Sequence, residues 1–324
     1  MSEPTALLLL PRLRVQNANA ICGPLSWGFP APTAFTGFVH ALERRLARDQ
    51  ALGFTGVGII CHGFAPQVFQ PAGKHTQVFR LTRNPVGKDG TTQALVEEGR
   101  AHMEVSLVIA VRDYLSAGKG QRFAEEVMEI VQGMRLAGGS ILPKREGKRF
   151  DAQWWPMAED IEGQREVLRK FRRRLLPGFA LVEREDRLAQ RLSELRERAP
   201  TTTALDALLD MTRLNYEPDC PDPDKPEESK WGIRKRPGWL VPLPVGYAAL
   251  SPLHRGGEVK NTRDESTPFR FVESIYSLGE WVSPHRFNHL DQLLWRNEAD
   301  PDRGIYRCIN HYSQTLETAV DGIA

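Results

Sequence analysis

Apolar residues near the start of the chain follow first a strand pattern and then a helix pattern. Ala6–Val15 is continuously apolar through Leu10 and then alternates, which is typical of a buried strand. Thr33 is a suitable N-cap for a helix that follows. The helical spacing of apolar residues after this cap covers Phe35, Phe38, Val39, Leu42 and Leu46. The chain is therefore predicted to begin with a strand and an amphipathic helix.

Two further strands, a second helix and a closing strand are predicted within the first 150 residues. Val57–Cys61 is short and apolar, and Met103–Val111 alternates as a half-buried strand does. Helical spacing then runs from Phe123 to Met134, and Gly138–Leu142 has the pattern of a strand. This order of strand, helix, strand, strand, helix, strand is the ferredoxin-like arrangement of RNA-recognition folds. We therefore predict an α+β fold with a ferredoxin-like RNA-binding core in residues 1–150.

The second and third predicted strands should form a hairpin, yet about forty residues separate them. Within this insertion, residues 64–100 contain β-prone stretches and glycine-rich turns. We interpret them as a ribbon that extends from the hairpin, and we call this segment the thumb. Its candidate RNA-binding side chains are Lys74, His75, Arg80, Arg83 and Lys88.

Beyond residue 150 the pattern predicts a helical region and then a C-terminal region. The helical region, 151–215, contains Arg165–Leu176, Arg184–Arg198 and Ala204–Leu214. In the C-terminal region, 216–324, an acidic and proline-rich stretch at 217–230 is typical of a mobile loop. Trp239–Tyr247 is apolar and interrupted by proline, which favours an edge strand. Leu290–Trp295 is predicted as a short helix, and the extended segments are expected to pack on the core.

Charge is segregated along the chain more than its total suggests. Of the 324 residues, 41% are hydrophobic and 26% charged, which is ordinary for a globular protein, and the net charge is +2. Basic residues concentrate in Lys74–Lys88, Lys144–Arg149 and Arg165–Arg174, whereas acidic residues concentrate in Asp219–Glu228. A local basic surface of this kind indicates a site for a polyanion.

Neither a disulfide framework nor membrane insertion is expected. The four cysteines, Cys22, Cys61, Cys220 and Cys308, show no C-x-x-C spacing. The apolar run Ala6–Leu10 is too short for a membrane span or a signal peptide. We therefore expect a soluble, cytoplasmic protein without a membrane partner.

Common catalytic and cofactor motifs are missing from the sequence. Gly73-Lys74-His75-Thr76 lacks the glycine and the hydroxyl residue of a phosphate loop, and Gly56-Val57-Gly58 lacks the third glycine of a dinucleotide fingerprint. No G-x-S-x-G elbow occurs. The spacing of His285, His289, Cys308 and His311 matches no standard zinc site. We expect no cofactor and no metal.

His40 is the one candidate for a general acid or base in RNA cleavage. It lies on the polar side of the first predicted helix, where its neighbours Glu43 and Arg44 equally suit an ordinary solvated surface. No partner for acid–base chemistry is identifiable nearby in the sequence. We therefore expect no catalytic residue.

Two segments near the predicted strand ends have chemistry suited to single-stranded RNA. Gly138, Gly139 and Ser140 follow a helix, and glycines allow backbone N–H groups to approach a phosphate. The same residues are also compatible with a helix C-cap. In the loop 16–32, Asn17 and Asn19 could read base edges and Trp27 could stack on an unpaired base. Alternatively, Trp27 and Phe29 fix this loop to the core.

Several longer stretches together resemble one family, the second Csy subunit of type I-F CRISPR surveillance complexes. They are LLLLPRLRVQNANA at 7–20, WGFPAPTAFTGFVHAL at 27–42, RLAGGSILP at 135–143, RLLPGFALV at 174–182, WLVPLPVGYAALS at 239–251 and RFVESIYSLGEW at 270–281. The resemblance spans nearly the whole chain, and the motifs are specific to that subunit.

This resemblance implies a non-catalytic, five-type Cas subunit of the RAMP class that holds the 5′ handle of the CRISPR RNA. It also implies pairing with the large subunit that reads the PAM, contact with an adjacent backbone subunit, and precursor processing by a separate endonuclease. The handle-binding role is carried over to Asn17, Asn19, Trp27, Gly138, Gly139 and Ser140, with Arg263 and Arg270 as further candidates.

Contact with target DNA is left open by the resemblance. Two other functions also remain open. The chain could be a metal-independent endoribonuclease that processes precursor CRISPR RNA, or a protein–protein adaptor whose basic surface is incidental.

Overall fold

The computed structural model describes residues 4–46, 52–219, 230–234 and 236–315. Its helices are α1 (Pro32–Leu46), α2 (Ala117–Gln132), α3 (Ile161–Phe171), α4 (Glu185–Arg198) and α5 (Ala204–Thr212). Its strands are β1 (Ala6–Asn19), β2 (Ile21–Gly23), β3 (Ser26–Trp27), β4 (Phe54–Pro66), β5 (Val68–Phe69), β6 (Val78–Phe79), β7 (Leu81–Arg83), β8 (Leu95–Glu97), β9 (Arg100–Val111), β10 (Arg135–Leu136), β11 (Gly139–Ile141), β12 (Gln153–Pro156), β13 (Phe179–Glu183), β14 (Tyr216–Asp219), β15 (Lys230–Ile233), β16 (Trp239–Ala249), β17 (Val272–Val282), β18 (Leu294–Asp300) and β19 (Ile305–Asn310).

One large antiparallel sheet dominates this mixed α/β fold. Eleven of the described strands belong to it, in the order β10-β11-β1-β9-β4-β13-β17-β16-β19-β18, with β12 beside the start of β1. β18 also pairs with β4. The strands β4, β13, β17, β16, β19 and β18 therefore form a closed ring of paired strands. Along the described parts of the chain, no helix is long and apolar enough to cross a membrane.

The helices α1 and α2 cover one face of the N-terminal strands β11-β1-β9-β4. Their buried residues, such as Phe35 and Val127, share a single core with Leu8, Leu107 and Ile59 from the strands. The apolar residues at helical spacing and the apolar residues that alternate along the strands therefore pack against each other in one interface. Burial of a large apolar side chain in such a core contributes about 1.5–3 kcal/mol to stability.

Two irregularities in β1 keep its apolar residues on the helix face. The register with β9 shifts between Leu10 and Leu13 and again between Val15 and Ala18. A bulge inserts one extra residue into the strand. The alternation of side chains shifts by one position there, so the residues after the bulge point to the opposite face from the one they would occupy in a regular strand. Arg12 and Asn17, which occupy these two irregularities, have positive φ angles of 49° and 57°. Each bulge thus turns one polar residue out of the regular pattern.

The opposite face of the same strands is covered only in part. Leu7, Leu9 and Val108 pack there against Phe171 and Leu175, which follow from the end of α3. Further along the strands this face carries polar side chains instead. Near the end of β1, Asn17 and His102 on this face are exposed to solvent.

The thumb insertion is not one ribbon, as interpreted from the sequence, but two short strand pairs. β5 pairs with β6 around the turn at 70–77, and β7 pairs with β8 around the longer connection at 84–94. β4 and β9, from which the insertion extends, form the predicted antiparallel hairpin. The basic residues of the thumb are consequently divided between two hairpins.

The C-terminal region differs from prediction because its extended segments continue the sheet rather than packing on it. β16, predicted as an edge strand over Trp239–Tyr247, pairs with β17 along its length and with β19 at Gly246–Ala248. Pro242 and Pro244 precede the segment paired with β19, so they lie where β16 has a partner on one side only. Proline, which has no N–H to donate, is tolerated in strands that have such an unpaired side.

The short helix predicted over Leu290–Trp295 is wrong. Leu290–Gln292 is a single 3-10 turn, and Leu294 begins β18. Leu293, Leu294 and Trp295 are all fully buried, and a short, fully buried run has the same composition in a strand as in a helix. Periodicity therefore could not separate the two structures here.

The region 151–215 contains the three predicted helices, but it also supplies β12 and β13 to the sheet. Leu188, Leu192 and Leu195 of α4 are only half-buried. The ends of the acidic stretch 217–230 belong to the paired strands β14 and β15. Residues 220–229, which carry most of the predicted mobile loop, lie outside the described residues.

Candidate nucleic-acid interface

The end of β1 brings Asn17 together with two residues that are distant in sequence. The side-chain oxygen of Asn17 accepts a hydrogen bond from Gln67 Nε2 at 2.6 Å. The backbone N–H of Asn17 donates to His102 Nδ1 at 3.3 Å, and Gln67 Nε2 lies 3.2 Å from His102 Nε2. These hydrogen bonds are exposed to solvent. They form an exposed hydrogen-bonding cluster at the end of β1.

Asn19 has a more local role than the sequence suggests. Its side-chain amide donates to the carbonyl of Ile21 at 2.8 Å and accepts from the N–H of Ile21 at 3.1 Å. Its backbone N–H donates to the carbonyl of Ala137 at 2.8 Å. Asn19 thus shapes the chain where β1 ends, and it holds the Ala137–Gly138 turn beside this end.

Ala137 and Gly138 form a two-residue hairpin turn rather than a helix C-cap. Both have positive φ angles, 48° and 75°, and they join β10 to β11, as in a type I′ turn. Helix α2 is capped earlier, by Gly133. The C-cap interpretation of the predicted glycine pair is therefore wrong.

Gly139 and its neighbours differ sharply in exposure. Gly139 is buried against β1, where an added Cβ would come within 2.7 Å of the Ala18 nitrogen and the Gln16 oxygen. Gly138 and Ser140 are exposed, and Ser140 is paired in register with Gln16. Close packing of two strands accounts for Gly139, while Gly138 and Ser140 face solvent beside the Asn17 cluster.

The sequence left open whether the aromatic residues of the loop stack on a base or fix the loop to the core, and the structure separates Trp27 from Phe29 in this respect. Phe29 stacks on Phe35 with ring centroids 5.5 Å apart and meets Trp281 edge-on at 4.9 Å, so it fixes the loop to the core. Trp27 remains 56% exposed and meets Phe79 of the thumb edge-on at 5.2 Å. Trp27 therefore links the loop after β1 to the base of the thumb while keeping a large part of its surface free.

The basic thumb residues are exposed to solvent. Lys74 and His75 lie in the turn at 70–77, Arg80 lies between the two hairpins, Arg83 ends β7, and Lys88 lies in the connection at 84–94. Within the part of the chain that the structure describes, the side chains of Lys74, Arg80, Arg83 and Lys88 form no ion pair. Their charge is available to an anionic ligand.

A second polar group on the same sheet face was not predicted. Glu104 on β9 pairs with Arg12 Nη1 at 2.8 Å and with Arg145 Nη2 at 2.7 Å. Burial raises the pKa of Glu104, but the hydrogen bonds from the two guanidinium groups outweigh burial and hold the pKa below its usual value. The alternation of polar His102, Glu104 and Ser106 between apolar residues of β9 is the sequence signal for this face.

His62 and Ser106 form a close pair in which the serine is buried. His62 Nε2 lies 2.6 Å from Ser106 Oγ, and His62 Nδ1 lies 2.6 Å from the carbonyl of Pro177. A carbonyl only accepts, so Nδ1 carries the proton and Nε2 accepts from the serine hydroxyl. Burial lowers the pKa of His62, which keeps the ring neutral. Ser106 is 1% exposed, and this pair therefore joins β4, β9 and the Pro177 loop structurally.

Arg263 and Arg270 lie in a different part of the molecule from the Asn17 cluster. Both belong to the connection between β16 and β17. Arg263 is exposed, and Arg270 Nη1 donates to the carbonyl of Pro301 at 3.3 Å, near the turn that precedes β19. Among the described residues, neither arginine forms a hydrogen bond or an ion pair with the residues at the end of β1.

The residues considered for catalysis or metal binding do not assemble into a site. His40 is exposed on α1. Cys308 is buried near Thr36 and Asn297, His289 accepts from the backbone N–H of Asp291, and His311 lies 2.6 Å from Gln314. Over the described ranges, no group of three or more metal-ligating side chains occurs.

The fold and this surface define a mixed α/β protein with an exposed polar and basic region at one end of its sheet. The family model of the CRISPR-associated protein Csy2 matches residues 8–308, and the chain belongs to this family. It is 54% identical to the CRISPR-associated protein Csy2 of Pseudomonas aeruginosa (strain UCBPP-PA14) over 317 residues, which cover 95% of this chain and 96% of that relative. The family resemblance predicted from the sequence is confirmed, and the chain has a CRISPR-associated role.

Proposed function

We propose that this chain is a non-catalytic subunit that binds the 5′ handle of the CRISPR RNA within a crRNA-guided, DNA-targeting complex. The observation that carries the proposal is the position of the thumb. The backbone N–H of Arg80 in the thumb donates to the carbonyl of Gln67 at 3.2 Å, and Gln67 belongs to the exposed cluster with Asn17 and His102. Trp27 contacts Phe79 of the thumb. Cations next to hydrogen-bonding side chains and an exposed aromatic ring are the components of single-stranded RNA recognition.

We further propose that the N-terminal strands are a ferredoxin-like core. Their order, β11-β1-β9-β4, places the fourth, first, third and second strands of the predicted motif side by side, all antiparallel. Both helices lie on one face. This arrangement supports RNA binding on the opposite face, which RNA-recognition folds use for the same purpose.

The hydrogen bonding and burial of His62, Ser106 and His40 support the proposal that the chain is non-catalytic. Acid–base cleavage of RNA needs a titratable group within hydrogen-bonding reach of the reacting atoms. The ring nitrogens of His62 are both occupied and Ser106 is buried, while His40 makes no hydrogen bond or ion pair to another described residue. A metal-independent endoribonuclease is the alternative function.

We propose that the large PAM-recognising subunit docks on the apolar ribbon, which is the strand pair β14–β15. Tyr216 pairs with Ile233 and Pro218 with Trp231, so all four side chains lie on one face. Tyr216, Trp231 and Ile233 are 50–70% exposed. Arg234 holds the ribbon to α5 through Asp210 at 3.0 Å. An isolated strand pair is marginally stable in water, and a partner that covers this face would stabilise it.

The experiment that tests the proposal is a titration of the purified chain, or of the complex that co-purifies with it, with labelled handle RNA. Binding in the absence of cleavage supports the proposal. Cleavage of precursor RNA by a preparation without another nuclease would establish the endoribonuclease. A chain that assembles with its partners but contributes nothing to RNA affinity would be an adaptor.

A further inference from the structure

An aromatic pocket of about 570 Å³ lies between β4, β13, β16 and β17, beneath the β2–β3 hairpin. Six aromatic side chains line it: Trp27, Phe29, Phe64, Phe179, Trp239 and Trp281. Their rings contact one another in series, with centroid distances of 5.9 Å for Phe179 and Trp239, 6.3 Å for Trp239 and Trp281, and 4.9 Å for Trp281 and Phe29. Four of the six rings, those of Phe179, Trp239, Trp281 and Phe29, thus form a connected series along the pocket.

Three of these rings stand at the mouth of the pocket and are open to solvent. Trp27 is 56% exposed, Trp239 60% and Phe179 46%. Large aromatic side chains are strongly hydrophobic, and three of them around one concavity mark a binding site rather than ordinary surface. Flat rings at a pocket entrance favour a flat ligand, which can pack against them in an offset-stacked or edge-to-face arrangement.

One hydroxyl group among the described residues that line the pocket has no hydrogen-bond partner. The hydroxyl oxygen of Ser26 is buried in its lining and has no hydrogen-bond partner among the residues that the structure describes. The other polar groups are occupied or weak. His62 is held by Ser106 and Pro177, and Cys22 Sγ donates to the carbonyl of Phe29. A ligand that both stacks and hydrogen-bonds would satisfy the orphaned hydroxyl, whose burial without a partner is otherwise unfavourable.

The charge of the pocket is compatible with an anionic chain passing its mouth. Burial raises the pKa of Cys22 to about 12 and of Cys61 to about 11, so both thiols are neutral. His62 is neutral as well. No described acidic side chain lines the pocket. Trp27, at the rim, also contacts Phe79 of the thumb, the insertion that carries the basic side chains proposed to bind RNA.

We propose that the aromatic pocket receives one unstacked nucleobase of the handle RNA. The base stacks on Trp239 at the mouth, beside Trp27, and exchanges a hydrogen bond with Ser26 Oγ. Planarity, a polar edge and attachment to a polyanion are properties that a nucleobase combines and an aliphatic protein side chain lacks. This inference rests on the proposed function, since it names the part of the RNA that this surface would hold.

The test combines protein variants with RNAs that lack a single base. Trp239→Ala, Ser26→Ala and a matched control, Tyr114→Ala, which removes an exposed aromatic ring elsewhere, are compared in the co-purified complex. We expect Trp239→Ala to weaken handle binding about tenfold, since stacking of one base contributes about 1–3 kcal/mol by alanine substitution. Trp239→Phe should retain most of the affinity, and Tyr114→Ala all of it.

Single abasic substitutions along the handle then identify the base. One position should weaken binding to the wild-type complex and have no further effect on the Trp239→Ala complex, which is the coupling expected of two groups that touch. Thermal unfolding of each variant separates binding from folding. If RNA binds normally and no abasic position couples to Trp239, the pocket holds no base although the proposed function stands.

Other outcomes overturn the inference in different ways. Loss of a partner subunit in Trp239→Ala, with unchanged RNA affinity, would show that a protein side chain fills the pocket. If a complex assembled without this chain bound handle RNA as well as the complete complex does, the proposed function itself would fail.

Discussion

The ring of Trp27 meets the ring of Phe79 edge-to-face, with centroids 5.2 Å apart. This contact joins the loop after β1 to the base of the thumb, two segments separated by more than fifty residues of sequence. The thumb is also tied to the end of β1 through the hydrogen bond between Gln67 and Asn17. An aromatic residue that is itself half exposed therefore helps to fix the base of the thumb beside the loop after β1.

The thumb cations should bind phosphates without reading sequence. Replacing Lys74, Arg80, Arg83 and Lys88 with alanine should weaken binding similarly for all RNA sequences. The slope of log K against log salt should become shallower by about 0.7 for each phosphate of single-stranded RNA that the variant no longer neutralises. Because the thumb is two hairpins, the pairs Lys74/Arg80 and Arg83/Lys88 can be changed separately. Lys119→Ala on α2 is the control, and unchanged slopes in both pairs would assign the thumb to protein binding.

We expect Gly139 to be needed for a stable fold and Gly138 to be needed for an RNA phosphate to approach the turn. Gly139→Val places carbon atoms within 2.7 Å of β1 backbone, and overpacking of this kind costs typically about 1–3 kcal/mol. We expect a lower melting temperature with RNA affinity per folded molecule preserved. Gly138 has open space around it but a φ of 75°, so Gly138→Val should cost about 1–2 kcal/mol through backbone strain.

A loss of handle affinity in Gly138→Val, beyond what unfolding explains, would support phosphate approach at the turn. Gly138→Asn is the matched control, because asparagine tolerates a positive φ better than valine does. If Gly139→Val, Gly138→Val and Gly138→Asn all bound handle RNA with equal affinity per folded molecule, the turn would serve the fold alone.

Much of the N-terminal fold could be predicted because each of its elements buries only one face. Phe35, Val39 and Leu42 repeat at helical spacing against alternating strands, and both patterns are visible in the sequence. The site was harder, because its hydrogen bonds join distant residues. Gln67 reaches Asn17 fifty positions away, and neither residue carries a mark of that partnership. The orphaned hydroxyl of Ser26 likewise becomes informative only once the surrounding rings are placed.

Acidification should destabilise the fold through His62. Its folded pKa lies below the ordinary 6.5, so between these two values the unfolded chain binds a proton that the folded chain does not. Stability is therefore retained above pH 6.5 and falls as the pH is lowered through that window. His62→Gln should be less stable than wild type at neutral pH but should lose less on acidification. Denaturant unfolding at several pH values measures both effects, and His75→Gln, an exposed histidine, is the control.

His40 should be dispensable for the production of guide RNA. It is exposed on α1 and forms no hydrogen bond or ion pair with another described residue, so nothing positions it for proton transfer. His40→Ala should leave the amount and length of mature CRISPR RNA unchanged in reconstituted complexes. The contrary result, loss of precursor cleavage in a preparation that lacks any other nuclease, would revive the endoribonuclease.

The apolar ribbon should decide how the isolated chain behaves. Tyr216 and Trp231 lie on one face of β14–β15 and are 61% and 70% exposed, an unusual amount of aromatic surface for a chain that functions alone. We expect the wild-type chain to be poorly soluble by itself and to form a stable one-to-one complex with the large subunit.

Changing Tyr216 and Trp231 to alanine should improve the solubility of the isolated chain. The same double change should weaken the complex by roughly 1,000-fold, since aromatic hot spots contribute about 2 kcal/mol or more each. Tyr114→Ala is again the matched control, and size-exclusion chromatography with light scattering measures both properties. A wild-type chain that remained monomeric and soluble at high concentration, with no affinity for the large subunit, would show that this ribbon has another purpose.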